Sequence, residues 1–148
     1  MIDYYLEQIR TKEQIDDQLF DYFKKSGEKV AAVYRNVFNW KHFHLLQYAT
    51  YHRFIVCRKN GIPVGVHLSR RYDSILDPEI KILYQDLLFA EPGTRASIIL
   101  LKDFLTFGKA NADHVITCIG AKTNIKRQSL EKLGFKKMEE LYRIEVEK

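Results

Sequence analysis

The chain has 148 residues, 46% of them hydrophobic, which is enough for one compact domain with a buried core and too few to require two. A formal charge of +5 and a pI near 9.1 favour an anionic partner, whether nucleotide cofactor, nucleic acid, acidic protein face or anionic membrane. No apolar run approaches the roughly 20 residues that span a bilayer, and the first residues lack a signal-peptide profile. Cys57 and Cys118 lie in apolar strand-like runs without metal-ligand spacing, so buried reduced thiols, no metal site and a cytoplasmic setting are expected.

Ile2, Tyr4 and Leu6 alternate with Asp3, Tyr5 and Glu7, predicting a strand that ends near Arg10. Thr11 and Gln14 have capping-box spacing, and Ile15, Leu19, Tyr22 and Phe23 form a helical stripe that Ser26-Gly27 is expected to stop. Val30, Val33, Tyr34, Val37 and Phe38 predict a second amphipathic helix, and residues 40–51 a third piece with Phe43 and Leu46 facing inward. Asn60-Gly61, set between β-rich runs at 53–59 and 62–70, is a strong two-residue hairpin signal. The break at 71–78 precedes a strand at 81–90, a helix at 96–108, a strand at 113–119, a helix at 122–133 ending at Gly134, and a last strand at 135–146. This order implies an α/β (α+β) domain with a mixed, mostly antiparallel sheet and helices on both faces.

The place to look for a ligand is the passage from the 81–90 strand through Glu91-Pro92-Gly93-Thr94-Arg95 into the next helix. A helix start offers unpaired N–H groups and a positive dipole end to an anion.

Two stretches resemble the GNAT (Gcn5-related N-acetyltransferase) superfamily, whose fold has this succession of elements. Leu88-Phe89-Ala90-Glu91-Pro92-Gly93-Thr94-Arg95 resembles the family's approach to its coenzyme loop, with Arg95 at the first position of the Q/R-x-x-G-x-G/A signature. Ser129-Leu130-Glu131-Lys132-Leu133-Gly134-Phe135 is similar to the family's Leu-Tyr-Glu-Lys-Leu-Gly-Phe, and Asn124 lies near the usual asparagine. The departures are equally specific. Ile98 and Leu100 stand at the signature's glycine positions, where side chains would obstruct a phosphate, and Leu130 replaces a tyrosine that often protonates the departing thiolate.

The resemblance implies a single GNAT-like domain over residues 1–148 that moves acetyl from acetyl-CoA to a small-molecule or protein amine. Arg95 and the amides of Ala96 and Ser97 would hold pyrophosphate, with Asn124 also on the coenzyme. The backbone at Leu88 and Ala90 would align the pantetheine arm, and Asp86, or a water it positions, would deprotonate the amine. Tyr142 and Ser129 are substitute acids. The alternative is a catalytically degenerate structural module with protein assembly partners. Internal virion proteins of some short-tailed phages have this degenerate character, which would place the chain within a virion.

Each residue also has a plainer reading. Arg95 is equally a solvated loop charge. Asp86 shares a face with Tyr84 and Leu88 by period-two counting, where an unpaired carboxylate would be costly. His67, on the face of Gly65 and Ser69, is either a base at an acceptor groove or a satisfied histidine on a partly exposed face. The basic and aromatic stretch from 34 to 72 is read as a solvated surface over an aromatic core rather than a nucleic-acid site.

Overall fold

The computed structural model describes residues 3–33, 36–118, 125–138, 144 and 146. Five strands form one sheet in the order β1 (Tyr4–Ile9), β2 (Arg53–Lys59), β3 (Ile62–Asp73), β4 (Lys81–Ala90) and β5 (His114–Ile116). Every neighbouring pair is antiparallel except β4 and β5, which run parallel. The helices are α1 (Asp17–Val33), α2 (His42–Tyr51), α3 (Ala96–Asn111) and α4 (Arg127–Lys132).

The β2–β3 turn forms as its residues require. Asn60 and Gly61 both adopt positive φ (51° and 85°), the conformation of a type I′ turn whose twist matches the strands it joins. Thr11 and Gln14 also close as expected, but around a single 3-10 turn over Lys12–Gln14. There the Gln14 Oε1 accepts from the amides of Arg10 (2.8 Å) and Thr11 (3.1 Å).

The two expected helices before residue 38 are one helix. Ser26 does not stop α1 because its hydroxyl donates to the Tyr22 carbonyl at 2.8 Å, inside the helix. Gly27 serves a close approach instead, since a Cβ there would overlap the Phe38 ring. Residues 36–40 are not helical, and Val37 is 88% exposed rather than inward. The chain doubles back so that Phe38 and Trp40 pack on Phe23 at ring distances of 5.4 and 5.5 Å. In α2 the inward residues are Leu45 and Ala49, while Phe43 turns outward.

Helices cover both faces of the sheet. On one, α1 and α2 bury Leu19, Phe23, Leu45 and Ala49 against Phe54, Val56, Val66 and Leu68. On the other, α3 buries Ala96 and Leu100 against Ile55, Cys57, Val64 and Ala90. Gly65 permits that second contact, because a Cβ on it would lie 2.8 Å from Leu100 Cδ1 and 3.1 Å from Ala96 Cβ. Cys57 is buried as expected, but Cys118 is exposed. Arg53 and Arg58, two members of the basic stretch, are paired with Asp103 and Glu7 at 2.8 and 3.4 Å and do not join an open cationic surface. Residues 135–138 carry no strand assignment among the described residues, and most of the remaining predicted last strand lies outside them. Helix α4 is described from Arg127, with Lys126 extended before it (φ −83°, ψ 141°), and residues 122–124 of the expected helix lie outside the described residues.

Candidate active site

Strands β4 and β5 pair only from Ile82–His114 to Tyr84–Ile116. Beyond Tyr84 the outer edge of β4 has no strand beside it among the described residues, so the sheet forks. The Gln85 side chain spans the mouth of the fork. Its Nε2 donates to the Cys118 carbonyl at 2.9 Å, and its Oε1 accepts from Thr117 Oγ1 at 2.8 Å and from His67 Nε2 at 3.0 Å. A carbonyl oxygen only accepts, so the His67 proton is on Nε2. His67 is 1% exposed beneath Phe104, ring centroids 4.4 Å apart, and burial holds its pKa down to about 4. It is therefore a neutral interior residue, neither on a partly exposed face nor a base in an acceptor groove.

One residue further along β4 the register slips. Leu68 faces Leu87 and Ser69 faces Gln85, which leaves Asp86 as the extra residue of a bulge. Period-two counting fails at this point. Leu87 and Phe89 join the core under α1 and α2, whereas Leu88 and Ala90 turn toward α3, so Asp86 and Leu88 do not share a face. Asp86 reaches the α2 side, where its Oδ2 accepts the Tyr48 hydroxyl at 2.7 Å and its Oδ1 accepts Arg70 Nε at 3.0 Å. Burial first, and then the bond to Asp86, raise the Tyr48 pKa far above the ordinary phenol value, so Tyr48 remains a donor. The Arg70 guanidinium lies over the Tyr84 ring at 5.8 Å, and Tyr84 contacts Cys118 Sγ at 3.7 Å.

At its far end β4 runs into a hydrogen-bonded loop. The Glu91 amide donates to the Val64 carbonyl at 2.8 Å, and the Glu91 carbonyl accepts from Thr94 Oγ1 at 2.7 Å. Arg95 is the N-cap of α3, exposed, with its amide donating to the Tyr4 hydroxyl at 3.2 Å. The Ala96 amide makes a long contact of 3.4 Å with Thr94 Oγ1, and those of Ser97 and Ile98 have no acceptor among the described residues. Leu100 does not obstruct this helix start: its side chain and that of Ala96 are buried against Gly65. Two amides and an exposed guanidinium at this helix start fit an anionic group.

The structure thus brings Asp86, Leu88, Ala90, Arg95, Ala96 and Ser97 onto one strand–loop–helix unit. Leu88 is half-buried and Ala90 buried, both packed toward α3. Leu130 is buried, as befits leucine in place of a tyrosine. Asn124 and Tyr142 lie outside the described residues. Sequence reasoning missed Tyr48 and Arg70, which reach Asp86 from another helix and another strand with no local pattern to announce them. It also missed the groove of about 610 Å³ beside Tyr48, lined by Trp40, His44, Gln47, Tyr51 and His52 as well.

Five strands in this order, antiparallel but for the β4–β5 pair, with helices on both faces, form a GNAT-like α/β fold. Solved structures match it over nearly their whole length. An acetyltransferase of Trypanosoma brucei superposes with a TM-score of 0.71 at 14% identity, covering 97% of this chain and 100% of its own. A predicted acetyltransferase of Clostridium acetobutylicum solved with acetyl-CoA gives 0.63 at 12% identity over 98% and 96%. An aminoglycoside N-acetyltransferase in complex with CoA gives 0.64 at 12% identity over 97% and 99%. At these identities the likeness is one of fold. No protein-family model matches the sequence, and no curated protein matches it.

Proposed function

We propose that the protein is an N-acyltransferase that moves an acetyl group from acetyl-CoA to a primary amine. The observation that carries this reading is the placement of two features at the ends of one strand–loop–helix unit: the Asp86 carboxylate at the bulge on β4, and the amides of Ser97 and Ile98 at the start of α3, which have no acceptor among the described residues. The complexes with acetyl-CoA and CoA among the matched folds support the same coenzyme here.

In this reading Arg95 and the amides of Ser97 and Ile98 would hold the pyrophosphate, with Ala96 contributing packing against Gly65, and the backbone through Leu88 and Ala90 would align the arm. When bound, acetyl-CoA supplies a thioester carbon on which the amine forms a C–N bond as the C–S bond breaks. Asp86 takes the proton that the ammonium group must lose before it becomes a nucleophile. Two hydrogen bonds fix the carboxylate, from Tyr48 and Arg70, so its remaining lone pairs are held in one direction. The catalytic contribution rests mainly on orientation. Asn124 as a further coenzyme contact and Tyr142 as the acid for the leaving thiol complete the proposal. Nothing in the fold favours the alternative of a degenerate virion component.

The test is release of free thiol from acetyl-CoA on addition of primary amines. Amine-dependent release that saturates in both substrates supports the reading; its absence across aromatic, aliphatic and polycationic amines removes it.

A further inference from the structure

The groove beside α2 narrows the acceptor. Its lining residues fall in a stripe along one flank of the helix, with Trp40 entering from the preceding loop. The rings are mutually braced: Trp40 lies 5.9 Å from Tyr48 and 6.2 Å from His44, and Tyr48 lies 4.9 Å from His52. His44 is further fixed because its Nδ1 accepts the Lys41 amide at 2.9 Å, which puts its proton on Nε2. Tyr51 is 75% exposed and leaves a ring open to whatever lies there.

The charge distribution is unusual for a site that takes an amine. None of the six lining residues is a carboxylate. Among the described residues, the acid bonded to this aromatic wall is Asp86, at the Tyr48 hydroxyl, with Arg70 on its other oxygen. An acceptor with several cationic groups would need several anions and would be repelled by a chain of net charge +5. One ammonium group has what it needs: a carboxylate ahead and aromatic faces beside it. An apolar ring behind that ammonium group would stack on the exposed aromatic wall.

From this we infer that the acceptor is a monoamine with a flat aromatic body, seated on Trp40, Tyr48 and Tyr51 with its nitrogen directed to Asp86. The inference rests on the N-acyltransferase reading for the word acceptor, but the amine site itself is measurable alone. Trp40 is the chain's single tryptophan, so its emission reports on this groove and nowhere else. Titration with 2-phenylethylamine should give a saturable change, at concentrations at least tenfold below those needed with spermidine or kanamycin. Tyr51→Ala, a change at an exposed position, should weaken the response at least fivefold, and Asp86→Asn should weaken it for 2-phenylethylamine while leaving propylbenzene unaffected. No saturable change, or equal or tighter binding of spermidine or kanamycin, overturns the inference. Calorimetry with acetyl-CoA separates the two claims. Heat without a Trp40 response overturns the aromatic acceptor and keeps the transferase; a Trp40 response without heat supports the amine site and overturns its role as acceptor.

Discussion

The Tyr48 hydroxyl donates to Asp86 Oδ2 at 2.7 Å and so ties helix α2 to the bulge on β4. That bond joins the wall of the aromatic groove to the carboxylate at the bulge. Asp86→Asn should lower kcat/KM for acyl transfer by about 100-fold, the contribution of a positioned base, with an unchanged circular dichroism spectrum. Tyr48→Phe leaves the carboxylate and Arg70 in place and removes about 1 kcal/mol of orientation, so a loss of roughly fivefold is expected. Equal losses in the two variants would show that Asp86 serves only to hold Tyr48.

Arg95 is exposed at the N-cap of α3 and bonds nothing through its side chain among the described residues. Arg95→Ala should therefore leave the unfolding midpoint in urea unchanged. The same substitution should weaken acetyl-CoA binding about tenfold, the worth of one charge-assisted contact to phosphate. Unaltered affinity would return Arg95 to the status of a solvated loop charge.

Beneath α3, Arg53 is largely covered, its side chain 11% exposed and its Nε and Nη1 without partners among the described residues, and it relies on Asp103 at 2.8 Å and on the Phe107 ring at 4.2 Å. Asp103→Ala strands that charge in a poorly solvated place. Urea denaturation should register a loss of about 3 kcal/mol. Replacing both residues, Arg53→Met with Asp103→Leu, should recover most of it, because no unpaired charge then remains.

His67 makes stability depend on pH. Its folded pKa is about 4 against an unfolded value of 6.5, so between these values the unfolded chain binds the extra proton and acid favours unfolding. The His67 contribution is intact above pH 6.5, declines as pH falls, and is exhausted near pH 4, a total on the order of 3 kcal/mol. Arg53 adds to the effect by disfavouring a second positive charge nearby. Urea midpoints at pH 7.5, 5.5 and 4.5 should fall in that order, and His67→Gln should flatten the trend.

The parts of this molecule that could be read from its sequence are those set by neighbours along the chain. The Asn60-Gly61 turn demands positive φ at two adjacent residues, and β2 and β4 alternate or cluster their β-branched and apolar side chains, so their bounds follow directly. What was hidden depends on partners far away. Ser26-Gly27 reads as a stop until Phe38 is seen to occupy the space that Gly27 leaves. The stripe through Val37 has helical spacing, yet Phe38 and Trp40 gain more by folding back on Phe23. The bulge at Asp86 follows from pairing with β3 rather than from any local motif, and it reassigns every residue after it to the other face. At the candidate site the linear signature located Arg95 and the α3 start. The second of its glycine positions misled, because Leu100 points into the core, where Gly65 makes room for it.

The most direct test of the account is a calorimetric titration of the protein with acetyl-CoA. The amides of Ser97 and Ile98, without an acceptor among the described residues, and Arg95 beside them call for saturable one-to-one binding with a Kd below about 1 mM, some 4 kcal/mol or more, that weakens in Arg95→Ala. Absence of heat at millimolar acetyl-CoA, together with an unshifted melting temperature, would contradict the coenzyme site and the acyltransferase built on it.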